Sequence, residues 1–518
     1  MNRNNSLCFP SHSKYASLSI FLCGCLMTGT FAPYNWWPLA FIAMTGFLFH
    51  LQNQTPWRAF RLCWLFAMGM NITGLSWIHV SMSTFSGMSL AAAYSLVAVL
   101  CAYLSLYPAM VGYLLNRFFP TGNASRLLLA FPALWLMSDW MFGQALTGFP
   151  WMWIGYSQTD TWLAGYAPLF GVQSVTLAVV CTSAALVLAI TQRKIRWLFI
   201  PVMLFIGGYG LQRQEWTTPG EEVDFALIQG NIPQSLKWEP SEIRPTLLKY
   251  LTLTQKNMDA DIVAWPESAV PAMENDMREF MTNMDETLRS KNTGFITGIQ
   301  YYDQQNNQSY NAVVGIGLID KEGQQSYQYG RNNRWYKQHL VPIGEFVPFE
   351  TYLRPLAPIF NLPMSSFSRG NAKQANILVK GYKFATAICY ETEFSDEMRQ
   401  NIHDDTQFIM NVSNDSWFGE STGPWQHLNI ARMRAIEFGK PLLRPTNSGV
   451  TAAFDEKGRL LASLPQFEMA ALRVKVKTTT GTTPYTKWGS IPLVIYVVSS
   501  LLLAYRLQVV SIAGISVR

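Results

Sequence analysis

The sequence predicts two architectures in one chain: a polytopic α-helical membrane domain of about eight spans, and an exported α/β domain placed before the last span. Three observations predict this. Charged residues make up only 14% of the 518 and hydrophobic residues 49%, whereas soluble chains average about 25% charged. Over roughly the first 212 positions the apolar residues fall in long runs broken by short polar stretches. From about 220 to 477 the pattern changes to short apolar strands alternating with helical stretches, as in a layered α/β domain.

A membrane span needs about 20 predominantly apolar residues. Candidates lie at about 15–33, 36–52, 60–80, 87–116, 125–142, 163–190 and 195–212, with one more at about 490–510. The first reads as a retained helix, because no small-residue cleavage site follows "CGCLMTGTFAPYNWW". Alternate loops carry the basic residues: Arg3 and Lys14, Arg58 and Arg61, Arg117 and Arg126, then Arg193, Lys194 and Arg196. The loops between them, "APYNWW", "VSMSTFSG" and 143–162, hold no Lys or Arg. Basic loops stay cytoplasmic, so seven spans deliver residue 213 to the outside and the eighth returns Arg506 and Arg518 to the cytoplasm. The expected domains are a membrane domain at 1–212, an exported domain at 220–477 and a terminal span at 490–510. In a bacterium this is a multi-pass inner-membrane protein with a periplasmic domain.

The net charge of +6 fits membrane topology, and no basic stripe with interleaved aromatics suggests nucleic acid. The spans hold almost no ionisable residue, Asp139 being the main exception, which argues against a transporter.

Within the exported domain "VDFALIQGNI" reads as a strand, "EIRPTLLKYLTLTQKNM" as a helix and "DIVAWPES" as a short strand ending in acid. A helical 273–290 precedes "GFITGIQYYD" and "YNAVVGIGLID", read as neighbouring strands. "FATAICYE" and "TQFIMNVSND" repeat the strand-to-polar-end pattern, and 424–438 reads as a helix. In α/β domains chemistry collects where strands end. Three such ends carry reactive groups: Glu267 in "VAWPESAVPA", Lys337 and Glu345 in "RWYKQHLVPIGEFVPF", and Cys389 in "AICYETEF".

Six of the seven cysteines lie in the N-terminal membrane portion, and Cys389 is alone in the exported domain. No disulfide framework is therefore available there. Singly, Cys389 could be a core filler, Glu267 a helix cap and Lys337 a solvated charge. Together they supply what acyl transfer needs: a carboxylate to take the thiol proton, a thiolate to attack, and an ammonium with backbone N–H groups to stabilise the oxyanion. The lysine is also expected to pull the thiol pKa down. His339, His403 and His427 show no metal-ligand spacing, and neither a metal nor a soluble cofactor is expected.

"WPES", "YKQHLVPIGEFVPF", and "ICYE" followed by "NVSNDSWFG" resemble the nitrilase superfamily and its Glu–Lys–Cys triad. With seven spans before and one after, the whole chain resembles the bacterial apolipoprotein N-acyltransferase family. The resemblance implies a four-layer α-β-β-α sandwich, with Glu267 as general base, Lys337 as oxyanion stabiliser and Cys389 as nucleophile. It implies supporting roles for Glu345, Tyr390 and Glu391, and for the loop aromatics Trp238 and Trp417. The implied reaction moves an acyl chain from a phospholipid, typically phosphatidylethanolamine, to the α-amine of a diacylglyceryl-cysteine lipoprotein through a thioester. No feature argues for an oligomer, so a monomer is expected. A membrane-tethered amidohydrolase with the same triad is the alternative, as is a transporter or receptor whose exported domain only binds.

Two further stretches suggest lipid contact. The aromatic loop 143–158 could line a lipid-facing floor or simply anchor at the interface, and "PLAPIFNLPM" at 355–364 could be a second apolar contact.

Overall fold

The computed structural model describes residues 14–85, 87–120, 123–320, 323, 325–330, 333–342, 344–347 and 367–512. The apolar stretch 355–364, Cys8, Arg3 and Arg518 lie outside these residues. The chain divides into two units: Met1–His79, Leu90–Gln214 and Trp488–Arg518 in one, Val80–Ser89 and Glu215–Lys487 in the other.

The first unit is helical. Among the described residues four helices are long and apolar enough to cross a membrane: Leu90–Phe118, Val172–Gln192, Ile195–Arg213 and Ile491–Val510. Shorter apolar helices run over Tyr15–Thr28 and Pro38–His50, with further helices at Pro56–Gly74 and Phe131–Gln144. Where small residues meet, backbones come close: a Cβ on Gly24 would stand 2.9 Å from the Phe66 carbonyl carbon. An aromatic cluster fills the space nearby, with Phe47 and Phe66 stacked at 4.2 Å and Trp135 edge-on to both.

Three expectations for this unit need correction. The stretch 163–190 is not one span: Gly171 takes a left-handed φ of 77° after Pro168, and the long helix begins at Val172. Arg126 is no loop charge. Its buried guanidinium donates to the carbonyls of Phe119 and Leu51 and to Asn116 Oδ1. The second half of the aromatic loop 143–158 is no lipid-facing floor either. Trp151 and Tyr156 are buried within the unit, Trp151 against Trp77 at 4.9 Å, because rings this large gain most from a protein interior.

In the second unit two sheets face each other. One carries β1 (Thr218–Gln229), β2 (Ile262–Ala264), β3 (Val270–Met273), β4 (Gly294–Asp303), β5 (Gln308–Gly317), β6 (Arg334–Tyr336) and β13 (Ala470–Thr480). The other carries β7 (Ile377–Val379), β8 (Tyr382–Ile388), β9 (Phe408–Val412), β10 (Leu442–Arg444), β11 (Ala452–Phe454) and β12 (Leu460–Ser463). Each has a parallel centre, β1-β2-β4 and β8-β9-β10, flanked by antiparallel neighbours.

The period-two alternation of the strands builds the layers. Val223, Phe225 and Leu227 of β1 point into the core between the sheets, where they meet Phe384 and Ile388 of β8 and Phe408, Met410 and Val412 of β9. Ala226 and Ile228 point the other way, onto helices Ile243–Gln255 and Arg278–Ser290 through Leu247, Tyr250, Met281 and Leu288. Ala385, Ala387 and Ile409 likewise back onto helix Gly423–Phe438 through Ala431, Ala435 and Phe438. The result is an α-β-β-α sandwich. The expected helix 273–290 starts only at Arg278, since Val270–Met273 pairs with β4 as a strand and a short 3₁₀ turn follows.

Candidate active site

The reactive groups sit on strand ends, as their positions in the sequence suggest. Glu267 lies just past β2, Lys337 directly follows β6, and Cys389 directly follows β8. The first two come from one sheet and the third from the other. The chain turns sharply at the thiol: Cys389 has φ of 52°, in the left-handed region, and opens a 3₁₀ turn to Glu393.

Lys337 is only 1% exposed and is no surface charge. Its Nζ lies 2.9 Å from both carboxylate oxygens of Glu345 and 3.6 Å from Glu267 Oε1. Burial works against its charge, but the Glu345 and Glu267 carboxylates outweigh burial and hold its pKa above the ordinary lysine value. Asn311 on β5 ties the acids together. Its Nδ2 donates to Glu267 Oε1 at 2.8 Å and to Glu345 Oε1 at 3.1 Å, and its carbonyl accepts the Lys337 N–H. Glu267 Oε2 accepts the Asn414 N–H at 3.0 Å, and Glu345 Oε2 accepts the Val341 N–H.

The thiol departs from expectation. Burial and the Glu267 charge push the Cys389 pKa up to about 12, although Lys337 does act to lower it. The lysine's charge is already shared by two carboxylates, so it cannot hold a resting thiolate. The neutral thiol is therefore the favoured form near neutral pH.

Glu391 joins the two sheets at this point. Its Oε2 accepts the Ile388 N–H and Trp335 Nε1–H, and its Oε1 accepts the Gln338 and His339 N–H groups. Burial lifts its pKa to about 7 against those donors. Tyr390 packs edge-on to His339 and Phe394. Trp238 and Trp417 are partly exposed, and Trp417 lies edge-on to Phe85 at 5.4 Å with its carbonyl accepting the Ser81 hydroxyl.

Several site residues carried no signal strong enough to single out. Asn311 and Asn414 look like ordinary polar residues in or after a strand. Lys237 is buried, and its Nζ donates to the Glu267 carbonyl at 3.0 Å. His427, given no role from spacing, lies beneath Cys389. Its Nε2 is 3.1 Å from the Cys389 carbonyl oxygen and its Nδ1 2.9 Å from Arg444 Nη2. Nδ1 also lies 3.1 Å from Asp415 Oδ1, so the imidazole sits between the Arg444 guanidinium, that carboxylate and the Cys389 carbonyl. Burial and the Arg444 charge accordingly lower its pKa. Arg444 also pairs with Asp415 at 3.0 Å and holds that carboxyl below its usual range despite burial.

Cys389, Asp415 and His427 each bring one potential ligand atom within 4.8 Å of the others. The guanidinium of Arg444 already supplies the positive charge between Asp415 and His427, which makes the cluster a hydrogen-bonded brace for the nucleophile turn. Chemically the site offers a carboxylate, a buried ammonium and a neutral thiol, the set for nucleophilic acyl transfer with general-base help.

Two family profiles match the chain: the apolipoprotein N-acyltransferase N-terminal domain over residues 23–185, and carbon-nitrogen hydrolase over residues 225–485. Full-length relatives match as well. An apolipoprotein N-acyltransferase of Vibrio cholerae is 47% identical over 491 residues, covering 94% of this chain and 96% of that one. One of Vibrio parahaemolyticus is 46% identical, covering 96% and 98%. One of Shewanella oneidensis is 43% identical, covering 94% of each. With a helical part and a sandwich part each matched by its own profile, the chain belongs to the apolipoprotein N-acyltransferase family and is an enzyme of the carbon-nitrogen hydrolase class.

Proposed function

We propose that this enzyme transfers an acyl chain from a membrane phospholipid to the N-terminal α-amine of a diacylglyceryl-cysteine lipoprotein, through a thioester on Cys389. The observation that carries this reading is the placement of Glu267, Glu345 and Lys337 together beside a buried cysteine at the end of β8.

In the first half-reaction Glu267 takes the thiol proton as sulfur attacks the ester carbonyl. The oxyanion forms against Lys337 and nearby backbone N–H groups. Collapse breaks the ester C–O bond, and the lysophospholipid alkoxide leaves with the proton from Glu267. In the second, the lipoprotein amine attacks the thioester, Glu267 accepts the amine proton, and the thiol leaves with it. The products are an amide and free Cys389, so atoms and charges balance and the kinetics are ping-pong. Glu345 and Asn311 hold Lys337 and Glu267 in register, Glu391 and Tyr390 hold the turn after the nucleophile, and Trp238 and Trp417 serve as loop aromatics at the site.

The donor is of the phosphatidylethanolamine type. A lipid donor fits the apolar helices of the first unit, and the chain passes from helix Phe199–Arg213 to β1 through residues 214–217 alone. The protein sits in the bacterial inner membrane with about eight spans (1–212 and 490–510) and a periplasmic catalytic domain at 220–477. All the named site groups come from one chain, so a monomer suffices. Glu267→Gln tests the general base: it should abolish the Cys389 thioester while leaving the protein folded, and a normal thioester yield would sink the assignment.

A further inference from the structure

The site contains a second lysine that the mechanism above leaves idle. Lys237 follows β1 in the turn segment 234–238 and is 3% exposed. Its Nζ donates to the backbone carbonyl of Glu267 at 3.0 Å. Among the described residues no carboxylate lies within ion-pair distance of it, which is unusual for a buried ammonium. The nearest aromatic face is that of Trp238, with Nζ 5.9 Å from the ring centroid.

The formal charges give this lysine a purpose. Glu267 and Glu345 both lean on Lys337, so those three groups alone leave one negative charge uncompensated. A negative site resists a further anion, and the reaction must make one on the substrate oxygen. When the thiol proton passes to Glu267 and the tetrahedral oxyanion forms, the negative charge moves but does not disappear. A positive Lys237 beside Glu267 brings the site to neutrality both before attack and in the tetrahedral intermediate.

We propose that Lys237 is a second active-site cation whose charge, held against the Glu267 main chain, stabilises the oxyanion of acyl transfer, so that only the Lys237 ammonium form supports fast reaction. It positions Glu267 through the carbonyl contact and acts on the reacting centre through space. This inference rests on the thioester reading and deepens it.

The titratable groups facing Lys237 are Glu267 after β2 and Cys389 after β8, the thiol uncharged over this pH range, with Lys337 and Glu345 completing the site. Burial lowers its pKa to about 8, and the Glu267 charge opposes that shift without cancelling it. The sign follows directly. The charge is present below about pH 8 and is lost as pH rises through that value. Cys389 itself ionises far higher, so its titration does not obscure the effect.

The test is single-turnover thioester formation on the full-length protein with phosphatidylethanolamine in detergent micelles, followed by intact mass from pH 6 to 9.5. Wild type, Lys237→Arg and Lys237→Met are compared. The wild-type rate should fall as pH rises through about 8, toward the rate of Lys237→Met. Lys237→Met should be slower by roughly tenfold or more at pH 7, the effect of losing a charge several ångströms away at an effective dielectric of about 20. Lys237→Arg, which stays charged throughout, should lack the alkaline fall whatever its absolute rate. An alkaline fall at the same pH in Lys237→Arg overturns the proposal, as does a Lys237→Met rate within twofold of wild type. Should Lys237→Met not fold, the wild-type and Lys237→Arg profiles decide alone. A complete absence of adduct in wild type at every pH overturns the thioester reading, and this inference falls with it.

Discussion

Cys389 is held in a backbone conformation that ordinary cysteines avoid, and burial reinforces the neutral form of its thiol. Its left-handed φ is braced by three groups on its carbonyl, namely Thr392 Oγ1, Asn411 Nδ2 and His427 Nε2. Burial beside Glu267 keeps its thiol neutral to about pH 12. Alkylation of Cys389 by iodoacetamide, followed on its peptide by mass spectrometry, should therefore rise about tenfold per pH unit from 6 to 10, because the thiolate is the nucleophile. A plateau near pH 7 would show a resting thiolate and contradict the account. At this scale the sequence was most informative for Glu267, Lys337 and Cys389, because reactive groups ending apolar strands are visible in a one-dimensional pattern. It was silent on Lys237 and Asn311. A lysine in a polar turn and an asparagine opening a strand look solvated until the fold buries them beside Glu267. His427 was passed over because its partners are an arginine, an aspartate and a backbone carbonyl, none of which leaves a ligand spacing.

At the level of elements, strand packing sets the position of Glu267. Strand β4 passes so close under the Glu267 loop that Gly298 has no room for a side chain. A Cβ there would stand 2.8 Å from Glu267 Cα and 2.7 Å from the Pro266 carbonyl oxygen. Both neighbours are backbone and cannot swing aside, so Gly298→Ala should move the Glu267 loop. It should cost about 1–3 kcal/mol of stability, the usual range for overpacking. It should also slow thioester formation by more than tenfold, as small misplacements at reacting centres do. Thermal melts and the single-turnover rate check both effects, and an unchanged rate would mean that the loop position is not critical. Strands such as "VDFALIQGNI" and "TQFIMNVSND" were legible because their alternation matches the two faces they cover. Strand β3 carries no sequence signal, since "VPAMEND" has no period of its own and pairs only because β4 offers an edge, so the expected helix 273–290 starts five residues early. For the aromatic loop 143–158 the sequence leaves two readings open, because composition cannot tell a ring at the lipid interface from one buried against Trp77.

For the whole molecule, the basic-loop pattern predicts that the sandwich lies outside and the loop after Gln192 inside. Asn306 is exposed in the turn between β4 and β5, and Lys194 is exposed after helix Val172–Gln192. In intact cells an impermeant maleimide reagent should label Asn306→Cys directly and Lys194→Cys only after permeabilisation. The reverse result would invert the topology. Among the described residues four helices meet the length and apolarity of a span, and the apolar helices Tyr15–Thr28 and Pro38–His50 are shorter than the eight-span expectation requires. The two-part layout itself was legible, because a change from long apolar runs to strand–helix alternation is a large signal. Everything at this scale depends on Cys389 taking an acyl chain from a membrane lipid. Intact mass spectrometry of the full chain with phosphatidylethanolamine and no acceptor tests it most directly. The account predicts a hydroxylamine-labile acyl adduct, absent in Cys389→Ser and discharged as an amide when a diacylated lipopeptide is added. An untouched lipid with no adduct, or an adduct that passes only to water, would contradict it.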